Sequence, residues 1–166
     1  MARQLWVLRH AEAEPHGTRS DSERRLTARG EAQARAAGLA LARLGASFEA
    51  VLFSPKMRAR QTAELAAAAL QDAEGAPLHV HEPLASGFDA AAALDAAREL
   101  SDDGRLLLVG HEPDLSGVLA ELTGGRVDLK KGGLAVVRLE GVGGELAVVM
   151  RPRELALIAG VPADGH

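Results

Sequence analysis

The sequence contains no cysteine and no tyrosine. Without cysteine there is no disulfide framework, no thiolate nucleophile and no cysteine-built zinc site. Aromatic residues make up 2% of the chain: Trp6, Phe48, Phe53 and Phe88. That excludes a stacking platform for single-stranded nucleic acid. Positive charge is not in excess either, with 19 Lys and Arg against 23 Asp and Glu and a net charge of −4. A broadly basic nucleic-acid binder is thereby excluded, and only a local basic patch has room. Long apolar runs are missing as well. None approaches the roughly 18–20 residues needed to span a membrane. Met1 to Arg9 is too short and too soon interrupted for a signal peptide. A cytoplasmic location, away from membranes and nucleic acid, is the expectation.

What is present is a chain of 166 residues, 47% hydrophobic and 25% charged. This length is ordinary for one domain, expected over 1–158, with a frayed tail at 159–166 that is rich in Gly, Pro and Asp. Alanine is roughly one residue in five, well above average usage. The core must therefore be built from Leu, Val and Ala.

Strand-like and helix-like stretches alternate. Gln4 to Arg9 reads as a buried strand, and Arg9 to Arg25 as a long polar loop. Thr27 can cap a helix that runs to about Leu44 and stops at Gly45. On it Ala34, Ala37, Leu41 and Leu44 mark one face. Ala50 to Phe53 is a second strand, Met57 to Leu70 a helix, and Leu78 to His81 a weak third strand. An alanine-rich helix is expected over Asp89 to Leu100. Arg105 to Val109 is a strongly apolar strand, followed by a turn and a helix from Asp114 to Leu122. Leu134 to Leu139 and Glu145 to Met150, joined by Gly141 to Gly144, read as a hairpin. The order predicts an α/β fold, a single three-layer sandwich. Its central sheet is mostly parallel, with an antiparallel edge strand and helices on both faces.

In open α/β sheets functional groups gather beyond the carboxyl ends of the strands. Strand one ends in Arg9-His10. Strand two ends in Ser54-Pro55, with Arg58 shortly after, and strand four ends in Gly110-His111-Glu112. If these strands are neighbours, two histidines and two arginines converge. Arginine is a planar fork of donors matched to phosphate or carboxylate. A neutral imidazole can attack phosphorus and form a phosphoramidate. A second histidine can donate to a phosphoryl oxygen. No metal is called for, since the arginines supply positive charge.

These residues resemble the histidine phosphatase superfamily. Leu8-Arg9-His10-Ala11-Glu12-Ala13 is similar to its Arg-His-Gly signature, with Ala11 where glycine is usual. Ser54-Pro55-Lys56-Met57-Arg58-Ala59-Arg60-Gln61-Thr62 is similar to its Ser-Pro-x-x-Arg-Ala-x-Gln-Thr segment. Val109 to Pro113 resembles its second histidine motif. Arg24-Arg25-Leu26-Thr27 to Gly30 resembles the Arg-x-Leu-Thr-x-x-Gly that opens its first helix. Lys130 to Leu139 is a weaker match to the segment before a late strand. The four motifs run in the family's order over residues 8 to 113, and the compact loops are most like the small phosphohistidine phosphatase (SixA-type) branch.

The resemblance implies a phosphoglycerate mutase-like fold and a metal- and cofactor-independent phosphatase with His10 as nucleophile. It implies that Arg9 and Arg58 bind phosphoryl oxygens, that His111 is the second pocket histidine, and that Arg24 is a further anion contact. Arg24 and Arg25 stand at even odds as the inward residue. The implied partner is a phosphohistidine protein in bacterial signalling, either a phosphotransfer domain or a phosphotransferase-system carrier. A small phosphorylated metabolite is the alternative, and a non-catalytic phosphate-binding module the rival from another class. Glu82 lies near the usual position of the family's general acid without matching it, and the small branch is held to lack that acid.

Other residues carry plainer readings. His79 and His81 share one face of a strand, a pattern a metal could use, though an edge-strand surface fits better. Arg60, two positions after Arg58 on a helix, points elsewhere. His16 lies in the first loop, and His166 is terminal. Lys130-Lys131 is a small solvent-facing basic step. Glu112 and Asp114 serve the turn and the next helix N-terminus.

Overall fold

The computed structural model describes residues 2–70 and 75–162. Six strands are present among the described residues: β1 (Gln4–Arg9), β2 (Ala50–Phe53), β3 (Leu78–Val80), β4 (Arg105–Gly110), β5 (Leu134–Glu140) and β6 (Gly143–Met150). The α-helices of the described residues are α1 (Ala28–Arg43), α2 (Met57–Leu70), α3 (Ala90–Ala96), α4 (Asp114–Thr123) and α5 (Pro152–Ala159). The strands form one mixed sheet in the order β3-β2-β4-β1-β5-β6. β3, β2, β4 and β1 are parallel, while β5 runs antiparallel to β1 and pairs with β6 as a hairpin.

The chain steps outward from β1 to β2 to β3, then reverses to insert β4 between β2 and β1. Because parallel crossovers are right-handed, the reversal moves the connecting helix to the other face. α1 and α2 accordingly share one face with α5, and α3 and α4 take the other. β4 records this in its side chains. Leu107 and Val109 join the α1, α2 and α5 core, and Leu106 and Leu108 join the α3 and α4 core. A strand buried on both faces reads as an unbroken apolar run, which is how Arg105 to Val109 appears. Each such leucine contributes roughly 1.5–3 kcal/mol by leaving water.

Alanine has a packing role on the first face. Ala36, Ala37 and Ala40 of α1 meet Ala59, Ala63 and Ala66 of α2. The helices approach so closely that a Cβ on Gly38 would lie 2.2 Å from the Ala66 carbonyl oxygen. Thr27 caps α1 by accepting from the Gly30 N–H at 3.0 Å. The expected α1 stripe holds at Ala34, Ala37 and Leu41, but Leu44 is 44% exposed. Leu44 is the residue after the last helical turn, so the 3.6-residue period no longer places it.

Three further expectations are corrected. α3 ends at Ala96 rather than near Leu100. Bonds from the Arg98 N–H to the Asp95 carbonyl and from the Leu100 N–H to the Ala97 carbonyl tighten the chain there and bury Leu100. The first loop is not featureless: it contains a 3₁₀ turn at Asp21–Glu23 and an isolated bridge between Ala13 and Leu26. Finally, α5 has no counterpart among the predicted elements. Its signals are ordinary ones: Pro152 in the first turn, Glu154 bonded back to Arg151, and Gly160 with φ +72° after the end. Ala159, the first residue of the expected frayed tail, is buried in α5, and 163–166, including His166, lie outside the described residues. No described helix is long and apolar enough to cross a membrane.

Candidate active site

Register builds the site. Arg9 of β1 lies opposite Gly110 of β4, and Phe53 of β2 lies opposite Val109. The next residues along these three neighbouring strands, His10, His111 and Ser54, therefore emerge together at the carboxyl edge of the sheet. The His10 and His111 rings stand 5.1 Å apart between centroids, tilted by 55°. Both are 7% exposed and Ser54 is fully buried.

His10 is held by its own backbone neighbour. Its Nδ1 lies 2.8 Å from the Ala11 carbonyl oxygen. A carbonyl only accepts, so Nδ1 carries the ring proton and Nε2 keeps a lone pair. The Ala11 peptide is itself pinned, because its N–H donates to Thr62 Oγ1 at 3.1 Å, and that hydroxyl donates to the Arg58 carbonyl at 2.7 Å. The start of α1 closes against the same loop, where a Cβ on Gly30 would sit 1.9 Å from the Glu12 carbonyl oxygen. The glycine of the Arg-x-Leu-Thr-x-x-Gly motif is thus a close-approach requirement. Ala11, where the family usually has glycine, is fully buried with Leu26 and Ala34.

Both imidazoles are neutral at neutral pH. Burial lowers His10 to about 3, with His111, Arg58 and Arg9 adding to the effect against the Ala11 bond. Burial likewise lowers His111 to about 3, aided by Arg58, Lys56 and Arg9. A neutral histidine can attack phosphorus, and a protonated one cannot.

The arginines are anchored by their tips. Arg9 donates from Nη1 to the Leu129 carbonyl at 2.9 Å. Arg58, 5% exposed on the first turn of α2, donates from Nη1 to the Asp21 carbonyl at 2.7 Å and from Nη2 to its carboxylate at 3.4 Å. Of the two loop arginines, Arg24 turns inward, 7% exposed, and Arg25 outward. Arg24 donates to the Glu14 carbonyl at 2.7 Å and to Asp21 Oδ1 at 3.0 Å. Asp21 also meets Lys56 Nζ at 3.1 Å. Its bond from Arg24, with help from Lys56 and Arg58, holds this carboxyl well below the usual carboxylate range. The Nε atoms of Arg9, Arg24 and Arg58 and the Nδ1 of His111 are buried without a partner. Buried donors are seldom left so, and unpaired arginine N–H groups beside a neutral imidazole suit an oxyanion such as a phosphoryl group.

Sequence reasoning missed Asp21, Ser54 and Lys56. Asp21 lies three residues before Arg24, a spacing that allows an ion pair. Ser54 and Lys56 lie inside a motif already noted, but nothing in the sequence says what they touch. Other residues fall away from the site. Arg60 pairs with Glu64 at 2.9 Å on the surface. His16 and His79 are exposed, and His81 packs edge-on against Phe88 at 6.2 Å. Among the described residues no three metal-ligating side chains come together. Glu82 is exposed at the start of a 3₁₀ turn. Glu112 accepts from the Ser116 N–H in α4, and Asp114 from the Gly87 N–H. Lys130 pairs with Asp128.

A mostly parallel α/β sheet carrying a neutral histidine among buried cationic donors at its strand ends defines a phosphoryl-handling class of protein. A model of the histidine phosphatase superfamily (branch 1) matches residues 5–86. An uncharacterized protein of Picosynechococcus sp. is 36% identical over 147 residues, covering 81% of this chain and 84% of that one. The solved structure of the protein histidine phosphatase SixA complexed with tungstate aligns with a TM-score of 0.80 at 26% identity, over 92% of this chain and 99% of that chain. A structure proposed to be the phosphohistidine phosphatase SixA of Nakamurella multipartitia aligns with a TM-score of 0.72 at 26% identity, over 92% and 97%. The chain belongs to the histidine phosphatase superfamily, and its activity class is that of a phosphatase.

Proposed function

We propose that the protein hydrolyses phosphohistidine on a protein through a phosphohistidine intermediate at His10. The observation that carries this reading is the His10 Nδ1–H bond to the Ala11 carbonyl, which leaves Nε2 as an unprotonated nucleophile. Nε2 attacks phosphorus while Arg9, Arg58 and His111 hold the equatorial oxygens and Arg24 adds positive charge. The bond from phosphorus to the substrate imidazole breaks, and that ring, already protonated on its other nitrogen, leaves neutral. Water then attacks the phosphorylated His10, inorganic phosphate departs, and the Nε2 lone pair returns. Ala11 keeps the Nδ1 proton in place throughout. The phosphorylated ring is therefore cationic and has a neutral leaving group of its own.

The substrate class is supported by two observations. Glu82, which lies near the usual position of the family's general acid, is exposed at the start of a 3₁₀ turn, whereas a general acid needs surroundings that push its pKa up. An alkyl ester needs such an acid to protonate its alkoxide, and phosphohistidine does not. The similarity to SixA points the same way. A small-metabolite phosphatase is the second reading. The deciding experiment compares kcat/KM on a phosphohistidine protein with that on phosphoserine and sugar phosphates, and traps labelled, acid-labile phosphate on the enzyme. A ratio about 10²-fold or more in favour of phosphohistidine is expected, the size of the missing acid's contribution. A ratio near one transfers the assignment to the metabolite class.

A further inference from the structure

Ser54 ends β2 and is completely enclosed, at 0% exposure. Its backbone N–H donates to the Val109 carbonyl of β4, which fixes the residue against the strand that delivers His111. Its Oγ accepts from the Lys56 N–H at 3.2 Å and lies 2.7 Å from His111 Nε2. A serine hydroxyl has one hydrogen to give. Sealed from water, that hydrogen needs an acceptor. His111 Nε2 is the acceptor in reach, since Lys56 meets the oxygen with an N–H. The hydroxyl therefore donates to Nε2, Nε2 holds a lone pair, and the imidazole proton sits on Nδ1. Nδ1 is the buried atom of His111 that has no partner.

We propose that Ser54 is a positioning residue that fixes His111 as its Nδ1–H tautomer, so that a neutral histidine donates a hydrogen bond to the phosphoryl group in the transition state. The proposal rests on the reading of His111 as an oxyanion donor, but the tautomer belongs to the resting protein and is measured without substrate. It matters because His111 is neutral. A protonated ring would donate from both nitrogens and need no selection, whereas a neutral ring in the other tautomer would aim a lone pair at a phosphoryl oxygen. His10 has the same tautomer by a different means, its bond to a backbone carbonyl. A change at Ser54 therefore reaches one histidine and not the other.

The test is nitrogen NMR of the ¹⁵N-histidine-labelled full chain at neutral pH, paired with p-nitrophenyl phosphate kinetics. In the wild type, His111 should show a protonated Nδ1 and an unprotonated Nε2. In Ser54→Ala the His111 signals should move towards the Nε2–H form or an exchange average, while those of His10 stay in place. Outer-shell partners and oxyanion donors suggest a loss of about 10–100-fold in kcat with KM changed much less. Ser54→Thr, which keeps the hydroxyl, should restore the tautomer and most of kcat. A wild-type His111 protonated on Nε2 overturns the proposal. So does a Ser54→Ala protein that keeps both the Nδ1–H form and its kcat. If Ser54→Ala does not fold, the wild-type and Ser54→Thr spectra decide. A wild type with the expected spectrum but no turnover of any phosphorylated substrate would sink the enzymatic reading and leave the tautomer assignment standing.

Discussion

The ends of β1 and β4 carry the two histidines of the site in nearly equivalent surroundings, at 7% exposure each and with both rings lowered to about 3. They differ in what holds them. His10 is tied to the carbonyl of the next residue, and no single side-chain substitution removes that acceptor. His111 is tied to a side-chain hydroxyl contributed by another strand. In the proposed mechanism the group that forms a covalent bond has the sturdier anchor, and the group that only donates a hydrogen bond has one that a point mutation can erase.

The largest difference should appear when each ring is removed. His10→Ala should eliminate the phosphoenzyme and lower turnover by several orders of magnitude, because the covalent route is gone. His111→Ala should lower kcat by about 10²–10³-fold, the usual cost of one oxyanion donor, while acid-labile phosphate still accumulates on His10. Rapid-quench labelling of both variants checks the pair, and comparable losses would mean that the roles are not divided as described.

The cationic side of the pocket comes next. Arg58→Ala should weaken inhibition by phosphate, vanadate or tungstate by about 10–100-fold, the worth of one or two charge-assisted hydrogen bonds. Arg58→Lys should recover only part of this. Lysine cannot hold the Asp21 carbonyl and carboxylate and still present a planar N–H to the anion. Titration of the oxyanion by calorimetry reads both.

Acid should act on the two rings alike. Each histidine has its folded pKa below its unfolded value of 6.5. Between those values the unfolded chain binds protons that the folded chain does not, so stability is complete above about pH 6.5 and falls as pH drops towards 3. The slope is at most about 1.4 kcal/mol per pH unit for each histidine. Urea unfolding from pH 7 to 4 should show it, and His10→Asn should flatten it. The kcat/KM profile on a substrate that does not titrate in this range should likewise lack an inflection at 6.5 attributable to free His10.

Glu82→Gln should have the smallest effect, changing the phosphohistidine rate by less than about tenfold, below the usual contribution of a general acid. Its exposed position outside the histidine and arginine contacts is the reason. A large loss on both phosphohistidine and alkyl esters, measured as kcat/KM, would restore it as the acid.

Much of this is legible in the sequence. The element boundaries are written in period and punctuation: Thr27 before α1, Gly45 after it, and Ser54-Pro55 after β2. His10 and His111 were legible because each falls at a strand end inside a motif, and Arg58 because its motif begins at one. α5 was not recognised, although Pro152 and Gly160 bracket it, because its eight residues give little more than two turns of periodicity and its burial depends on α1.

The sequence by itself determined which residue types stand at the ends of β1, β2 and β4, since local propensity and apolar pattern are properties of neighbouring residues. It did not determine that β4 lies between β2 and β1, and without that placement His10 and His111 would not be 5.1 Å apart. It left Arg24 and Arg25 at even odds, and the bonds from Arg24 to Glu14 and Asp21 broke the tie. Protonation was also a tertiary matter. An imidazole's charge and tautomer follow from its burial and from the acceptor it faces. Ala11 is next to His10 in the chain, but Ser54 and His111 are 57 residues apart and meet only because the sheet puts their strands side by side.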